Sequence, residues 1–295
     1  MNKHLKGLYP ALLTPFDQGF KVDSSSLKNL IDFNVAKGVD GFYVCGSSAE
    51  VFTLNFDERV HVMETVSTHV EKSCRLIAQV GGISTEECIK LARIARELGY
   101  DAISAVAPFY YPFTFDEILA HYRAIIEAAE TLPMLVYNIP GMSGVKLTKP
   151  QLQKLLDLPN VIGLKQTSSD LYQMEQLCRA YPDYTILNGF DELLTYGLMA
   201  GADGGIGSTY NLMAERYVGI QNALREGDVS TAQALQADCN RVIDVLIEVG
   251  VFQGLKFMLH AIGVIQTANC RRPFSPLNAR QVTVISKILS EFIDE

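Results

Sequence analysis

Eight times in succession, the sequence moves from a short apolar run through a polar or glycine-rich break into a stretch with helical spacing. The apolar runs cover residues 7–15, 40–45, 76–80, 102–107, 133–138, 161–167, 184–188 and 204–208. Runs of this length with little polar alternation suit strands covered on both faces, as in parallel sheets. Between them, apolar residues recur at helical spacing near 27–35, 56–73, 84–99, 115–130, 148–157, 170–180 and 212–225, with a short helix leading to Ala200. Asp23-Ser24-Ser25-Ser26 offers a cap for the first of these helices, and Gly38 closes it. Strands and helices in unbroken alternation predict a single (β/α)8 TIM barrel over residues 1–226. A doubly wound open sheet is the competing arrangement, and the Gly-x-Gly-x-x-Gly turn that often opens one is missing after the first strand. Beyond the barrel, residues 227–295 read as helices at 228–248, 252–263 and 278–293, a C-terminal helical extension.

Composition removes several classes of function. With 25 basic and 33 acidic residues the net charge is −8, and without a basic run the chain is a poor partner for nucleic acid. No apolar run is long enough to span a bilayer, and residues 1–10 lack an uninterrupted apolar segment, so neither a membrane span nor a signal peptide is expected. The cysteines (Cys45, Cys74, Cys88, Cys178, Cys239, Cys270) are scattered without a C-x-x-C pair, which suggests reduced thiols in a cytoplasmic protein. Of the histidines, His61, His69, His121 and His260 fall on expected helices and His4 near the terminus, so no metal-ligand cluster is expected.

In a barrel of this kind the chemistry gathers at the C-terminal ends of the strands. Ser47, Ser48 and Glu50 follow the second strand, Tyr110 and Tyr111 the fourth, and Tyr137 ends the fifth. Lys165 and Thr167 end the sixth, Asp191 and Glu192 follow the seventh, and Ser208 the eighth. Alternation along the sixth strand puts Val161, Gly163, Lys165 and Thr167 on one face. A lysine at such a place either reaches the surface or pairs with a carboxylate; buried without a partner, it has its pKa pushed down toward that of a usable nucleophile. A single lysine among hydroxyls suits Schiff-base chemistry on a ketone; Tyr137 either moves protons for it, given a phenol in hydrogen-bond reach, or is a buried tyrosine anchoring its strand. Ser47 and Ser48 either hold a carboxylate with the backbone around Gly46 or cap the following helix. Asp191 and Glu192 either accept hydrogen bonds from a polyol or occupy the first turn of a helix.

Pro108-Phe109-Tyr110-Tyr111-Pro112, Tyr137-Asn138-Ile139-Pro140, Gly163-Leu164-Lys165-Gln166-Thr167, Gly189-Phe190-Asp191-Glu192 and Gly207-Ser208-Thr209-Tyr210-Asn211 resemble the dihydrodipicolinate synthase and N-acetylneuraminate lyase family of pyruvate-dependent class I aldolases. The resemblance covers nearly the whole chain, and the last three motifs point to the branch that cleaves N-acetylneuraminate to N-acetylmannosamine and pyruvate. It implies that Lys165 forms the Schiff base, Tyr137 shuttles protons, and Ser47 and Ser48 bind the carboxylate. By the same resemblance Thr167, Gly189, Asp191, Glu192 and Ser208 contact the hydroxyl tail, while Tyr110 takes part in a neighbouring subunit's site. It implies a homotetramer acting on small molecules with no cofactor and no metal. Dihydrodipicolinate synthases carry an arginine where this chain has Met142, which disfavours that activity. Two rivals are another pyruvate-dependent aldolase or dehydratase acting on a different sugar-acid, and a catalytically silent barrel that senses sialic acid or pyruvate. One loop departs from the family pattern: Gly46-Ser47-Ser48-Ala49-Glu50 carries alanine where glycine is usual, which is strained if that position needs φ > 0.

Overall fold

The computed structural model describes residues 5–70 and 73–294. Strand and helix alternate as the sequence predicts: β1 (Gly7–Pro10), α1 (Ser24–Val35), β2 (Gly41–Val44), α2 (Phe56–Val70), β3 (Arg75–Gln79), α3 (Thr85–Glu97), β4 (Ala102–Val106) and α4 (Phe115–Ala129). The second half continues with β5 (Met134–Asn138), α5 (Pro140–Ser143), α6 (Lys149–Leu156), β6 (Val161–Gln166), α7 (Leu171–Ala180), β7 (Thr185–Asn188), α8 (Leu194–Met199), β8 (Gly204–Gly207) and α9 (Tyr210–Arg225). The eight strands are parallel, in the order β1-β8-β7-β6-β5-β4-β3-β2. The remaining seam between β1 and β2 is held by Asp40 N–H to Leu8 O at 3.0 Å and Leu12 N–H to Tyr43 O at 3.0 Å. The result is a nearly closed (β/α)8 barrel. Three helices follow, α10 (Val229–Val249), α11 (Val251–Ala261) and α12 (Ala279–Asp294), with α10 packed along α9 and against α11 and α12.

Local chemistry explains the boundaries. Asp23 caps α1 by accepting from the N–H groups of Ser25 and Ser26, and Ser84 caps α3 through Glu87 N–H. Thr114 and Glu117 form a reciprocal capping box on α4. The second helix, expected over 56–73, is seen to Val70; residues 71 and 72 lie outside the described residues, as does His4. The turn of helix α5 directly after β5 was not foreseen: it begins at Pro140, whose fixed φ suits a first helical position.

Side-chain alternation divides the core in two. Phe42 and Val44 of β2 and Met134 and Val136 of β5 face the helices, whereas Tyr43, Leu135 and Tyr137 face inward with Tyr9, Ile77, Leu187 and Ile206. Each fully buried Val, Leu or Ile in these layers contributes roughly 1.5–3 kcal/mol relative to exposure. Strand β6 departs from simple alternation. Met134 pairs with Val161 but Leu135 with Gly163, so Ile162 is an extra residue in a bulge. Val161 therefore joins the outer layer and Ile162 packs against the inner one. The single face expected for Val161, Gly163 and Lys165 is corrected on that account, because the bulge shifts Val161 out of phase. Beyond the bulge the register is regular, with Lys165 beside Tyr137 and Leu187.

Candidate active site

A cavity of about 480 Å³ opens at the C-terminal ends of the strands, within the size range of small-molecule sites. Ser47, Ser48, Tyr137, Lys165, Thr167, Gly189, Asp191, Glu192 and Ser208 all line it. Ile139, Met142, Phe252 and Phe274 add an apolar wall, and Ser47, Met142 and both phenylalanines also border an adjoining apolar cavity of about 340 Å³. Phe252 and Phe274 come from the C-terminal helical region, a contribution the sequence reading missed because nothing near them in sequence marks them as cavity-lining. Tyr110 is not brought in. It sits at φ 77 on the loop after β4, 82% exposed, against Tyr111.

Lys165 is only 4% exposed, deep in the inner layer. Its Nζ lies 4.2 Å from the ring centroids of both Tyr137 and Tyr43. Burial brings its pKa down from 10.5 to about 7, and the charge of Asp191 opposes that shift. Near neutral pH a large fraction of the amine is therefore unprotonated and nucleophilic. The Tyr137 hydroxyl shares a 3.4 Å hydrogen bond with Ser47 Oγ. Burial raises the Tyr137 phenol to about 12, with the Ser47 hydrogen bond acting the other way. At neutral pH this phenol is a proton donor first.

In the loop after β2 neither serine acts as a side-chain cap. Ser47, Ser48 and Ala49 form a 3₁₀ turn whose N-terminus has no side-chain cap. Ser47 reaches Tyr137, and Ser48 Oγ meets Ser208 Oγ at 2.5 Å, so both hydroxyls project across the site. Ala49 is buried in the turn and is not a left-handed residue; the left-handed position falls one residue later, at Glu50 with φ 56. Alanine is thus accommodated without the strain its substitution for glycine would otherwise imply. Glu50 is fixed by the C-terminal region: Lys256 Nζ donates to its Oε1 at 2.5 Å and Arg271 N–H to its Oε2 at 2.7 Å. Both side chains of the Glu50–Lys256 pair are fully buried. No sequence signal identified this pair, since 206 positions separate its members.

Asp191 and Glu192 begin a 3₁₀ turn after β7, and their environments differ. Asp191 Oδ2 accepts from Thr209 N–H and Thr209 Oγ1–H, each at 2.7 Å, and Thr209 Oγ1 is 2.6 Å from the Tyr217 hydroxyl. Burial raises the Asp191 carboxyl to about 6. Glu192 is half-buried at the cavity wall, and its carboxylate has no hydrogen-bonded partner among the described residues. Gly189 is required by close approach, because a Cβ there would lie 2.0 Å from Thr167 Oγ1. Among the described residues no three His, Cys, Asp or Glu side chains converge as a metal site, and no helix is long and apolar enough to cross a membrane.

A family model described as the dihydrodipicolinate synthetase family matches residues 4–292. The N-acetylneuraminate lyase of Citrobacter koseri is 54% identical over 295 residues, covering 100% of this chain and 99% of that one. Among solved structures, CdNal from Clostridium difficile in complex with mannosamine superposes with a TM-score of 0.95 at 34% identity, over 98% of this chain and 100% of that chain. The N-acetylneuraminate lyase of Fusobacterium nucleatum complexed with pyruvate gives 0.92 at 33% identity, over 98% and 97% of the two chains.

Proposed function

Since the chain belongs to the dihydrodipicolinate synthetase family, we propose that it is an N-acetylneuraminate lyase, a carbon–carbon lyase that reversibly cleaves N-acetylneuraminate to N-acetylmannosamine and pyruvate. The observation that carries the reading is the buried Lys165 amine, near pKa 7, beside Tyr137 in a cavity lined by hydroxyls and one unengaged carboxylate. The pyruvate and mannosamine complexes of relatives agree with the two halves of such a substrate. Met142 stands where an arginine would serve a second carboxylate.

In this mechanism the lone pair of Lys165 attacks the ketone carbon of the open-chain sugar acid. The carbonyl oxygen leaves as water, carrying one amine hydrogen and the Tyr137 proton. An iminium cation and a phenolate remain, so the net charge is unchanged. The phenolate then removes the proton of the hydroxyl beside the scissile bond. As that bond breaks, its electrons flow into the iminium to give an enamine, and N-acetylmannosamine departs. Protonation and hydrolysis of the enamine return pyruvate and free Lys165. Ser47 steadies the Tyr137 oxygen, Ser47 and Ser48 hold the carboxylate, and Thr167, Gly189, Asp191, Glu192 and Ser208 surround the hydroxyl tail.

Residues 1–226 form the catalytic barrel in this reading, with 227–295 an extension that braces it. Homotetramer assembly, with the exposed Tyr110 completing a neighbour's site, is part of the proposal; sedimentation as a monomer at assay concentration would remove it. A cytoplasmic location is part of the same proposal, from six cysteines scattered without a C-x-x-C pair, and recovery of the protein from a secreted fraction would contradict it. The activity itself is tested by incubating the purified protein with N-acetylneuraminate and with sugar acids lacking the acetamido group. Stoichiometric pyruvate and N-acetylmannosamine are expected, with the highest kcat/KM on N-acetylneuraminate; preference for another sugar acid would replace the assignment.

A further inference from the structure

The mechanism uses the Tyr137 hydroxyl and the Lys165 nitrogen, yet a second tyrosine stands at the same amine with no role assigned. Tyr43 lies on β2, across the barrel interior from β6, and is completely buried. Its ring centroid is 4.2 Å from Lys165 Nζ, the same separation as for Tyr137. The two rings meet edge to face, 5.8 Å apart at 79°, so the nitrogen occupies the corner between them. The Tyr43 hydroxyl donates to Ser104 Oγ at 3.1 Å, which commits it to an inward-facing neighbour on β4. It is therefore the ring that Tyr43 offers to the amine. Among the described residues no carboxylate forms an ion pair with Lys165, and Asp191 acts on it through space.

A neutral amine gains little from an aromatic face, whereas a cation over that face is attracted by the ring quadrupole, and more so when both are desolvated. During the reaction the Lys165 nitrogen changes from neutral amine to cationic iminium. An interaction present only in the second state raises the population of the intermediate and lowers the barrier leading to it. We propose that Tyr43 is a catalytic residue whose ring stabilises the positive charge that develops on Lys165 as the iminium forms. The proposal rests on Lys165 being the Schiff-base lysine. The covalent step is the one given above: the N–C bond forms, the C–O bond breaks, and water leaves with one amine hydrogen and the Tyr137 proton.

Truncating a buried tyrosine also disturbs packing, so the test holds shape constant and varies the ring's charge distribution. Tyr43→Phe, which loses the Ser104 bond and keeps the ring, sets the reference. Phenylalanines carrying one, two and three ring fluorines are then installed at position 43, each progressively weakening the negative face. Pyruvate affinity is measured for each by borohydride trapping at Lys165, with melting temperature confirming the folded state. The pyruvate dissociation constant is expected to rise stepwise, reaching roughly tenfold at three fluorines. A flat series among folded variants overturns the proposal. So does loss of trapping in Tyr43→Phe, which would transfer the role to the hydroxyl. Failure of the wild-type protein to trap pyruvate at Lys165 is a different result: it overturns the Schiff-base reading, and this proposal falls with it.

Discussion

Glu192 and Asp191 are neighbours with unequal freedom. Thr209 already occupies one oxygen of Asp191, which makes that residue partly a brace for the β8 end of the site. The Glu192 carboxylate has no hydrogen-bonded partner among the described residues, and in the proposed function it receives the hydroxyl tail. Glu192→Ala should therefore cost cleavage of the nine-carbon sugar roughly 1.5–3 kcal/mol of binding in the transition state, the range for a charged hydrogen bond. Trapping of pyruvate alone should persist, because pyruvate lacks the hydroxyl tail that the proposed function assigns to Glu192. Unchanged kcat/KM on the sugar would reduce Glu192 to the first turn of a helix. The sequence indicated both carboxylates and their position after a strand. It did not show which was free, because that depends on Thr209 folding back from β8. The serines behaved similarly: their place was legible, while the direction of their hydroxyls was decided by the 3₁₀ turn and the partners opposite.

At the level of elements, the loop after β2 is held from outside the barrel. The 3₁₀ turn of Ser47–Ala49 ends at left-handed Glu50, whose carboxylate is gripped by Lys256 from α11 and by the Arg271 backbone. Removing one member of a buried pair leaves the other charged and desolvated, at a cost of roughly 3–5 kcal/mol. Lys256→Met should lower the unfolding free energy by about that amount in denaturant titrations, and the double change Glu50→Gln with Lys256→Met should recover part of it. A loss below about 1 kcal/mol in the single variant would contradict this bracing role. The strands and the longer helices were legible, because both are written in local periodicity and punctuation, whereas the four-residue α5 was not. The β6 bulge was not, since the extra residue Ile162 is identified only by its pairing with β5. The grip of α11 on Glu50 was likewise hidden, because no local pattern connects residues so far apart in the chain.

On the scale of the whole molecule, the barrel gathers side chains from loops distant in sequence around the buried Lys165 amine. Residues that no segment unites, from Ser47 to Ser208, share one cavity because all follow strands that end on the same rim. That convergence was legible once the eightfold alternation was read, whereas the apolar wall from Phe252 and Phe274 depends on how the last helices fold over the rim. The proposed chemistry requires that Lys165 act as a nucleophile at neutral pH. Incubation with pyruvate and borohydride, followed by peptide mass mapping, tests it most directly. One pyruvate-derived adduct per chain is expected, confined to Lys165 and absent in Lys165→Arg, whose guanidinium stays protonated. Its rate should climb as pH rises through about 7 and then level off, because the buried amine loses its proton there. An adduct on any other lysine, or none at all, would contradict that role for Lys165.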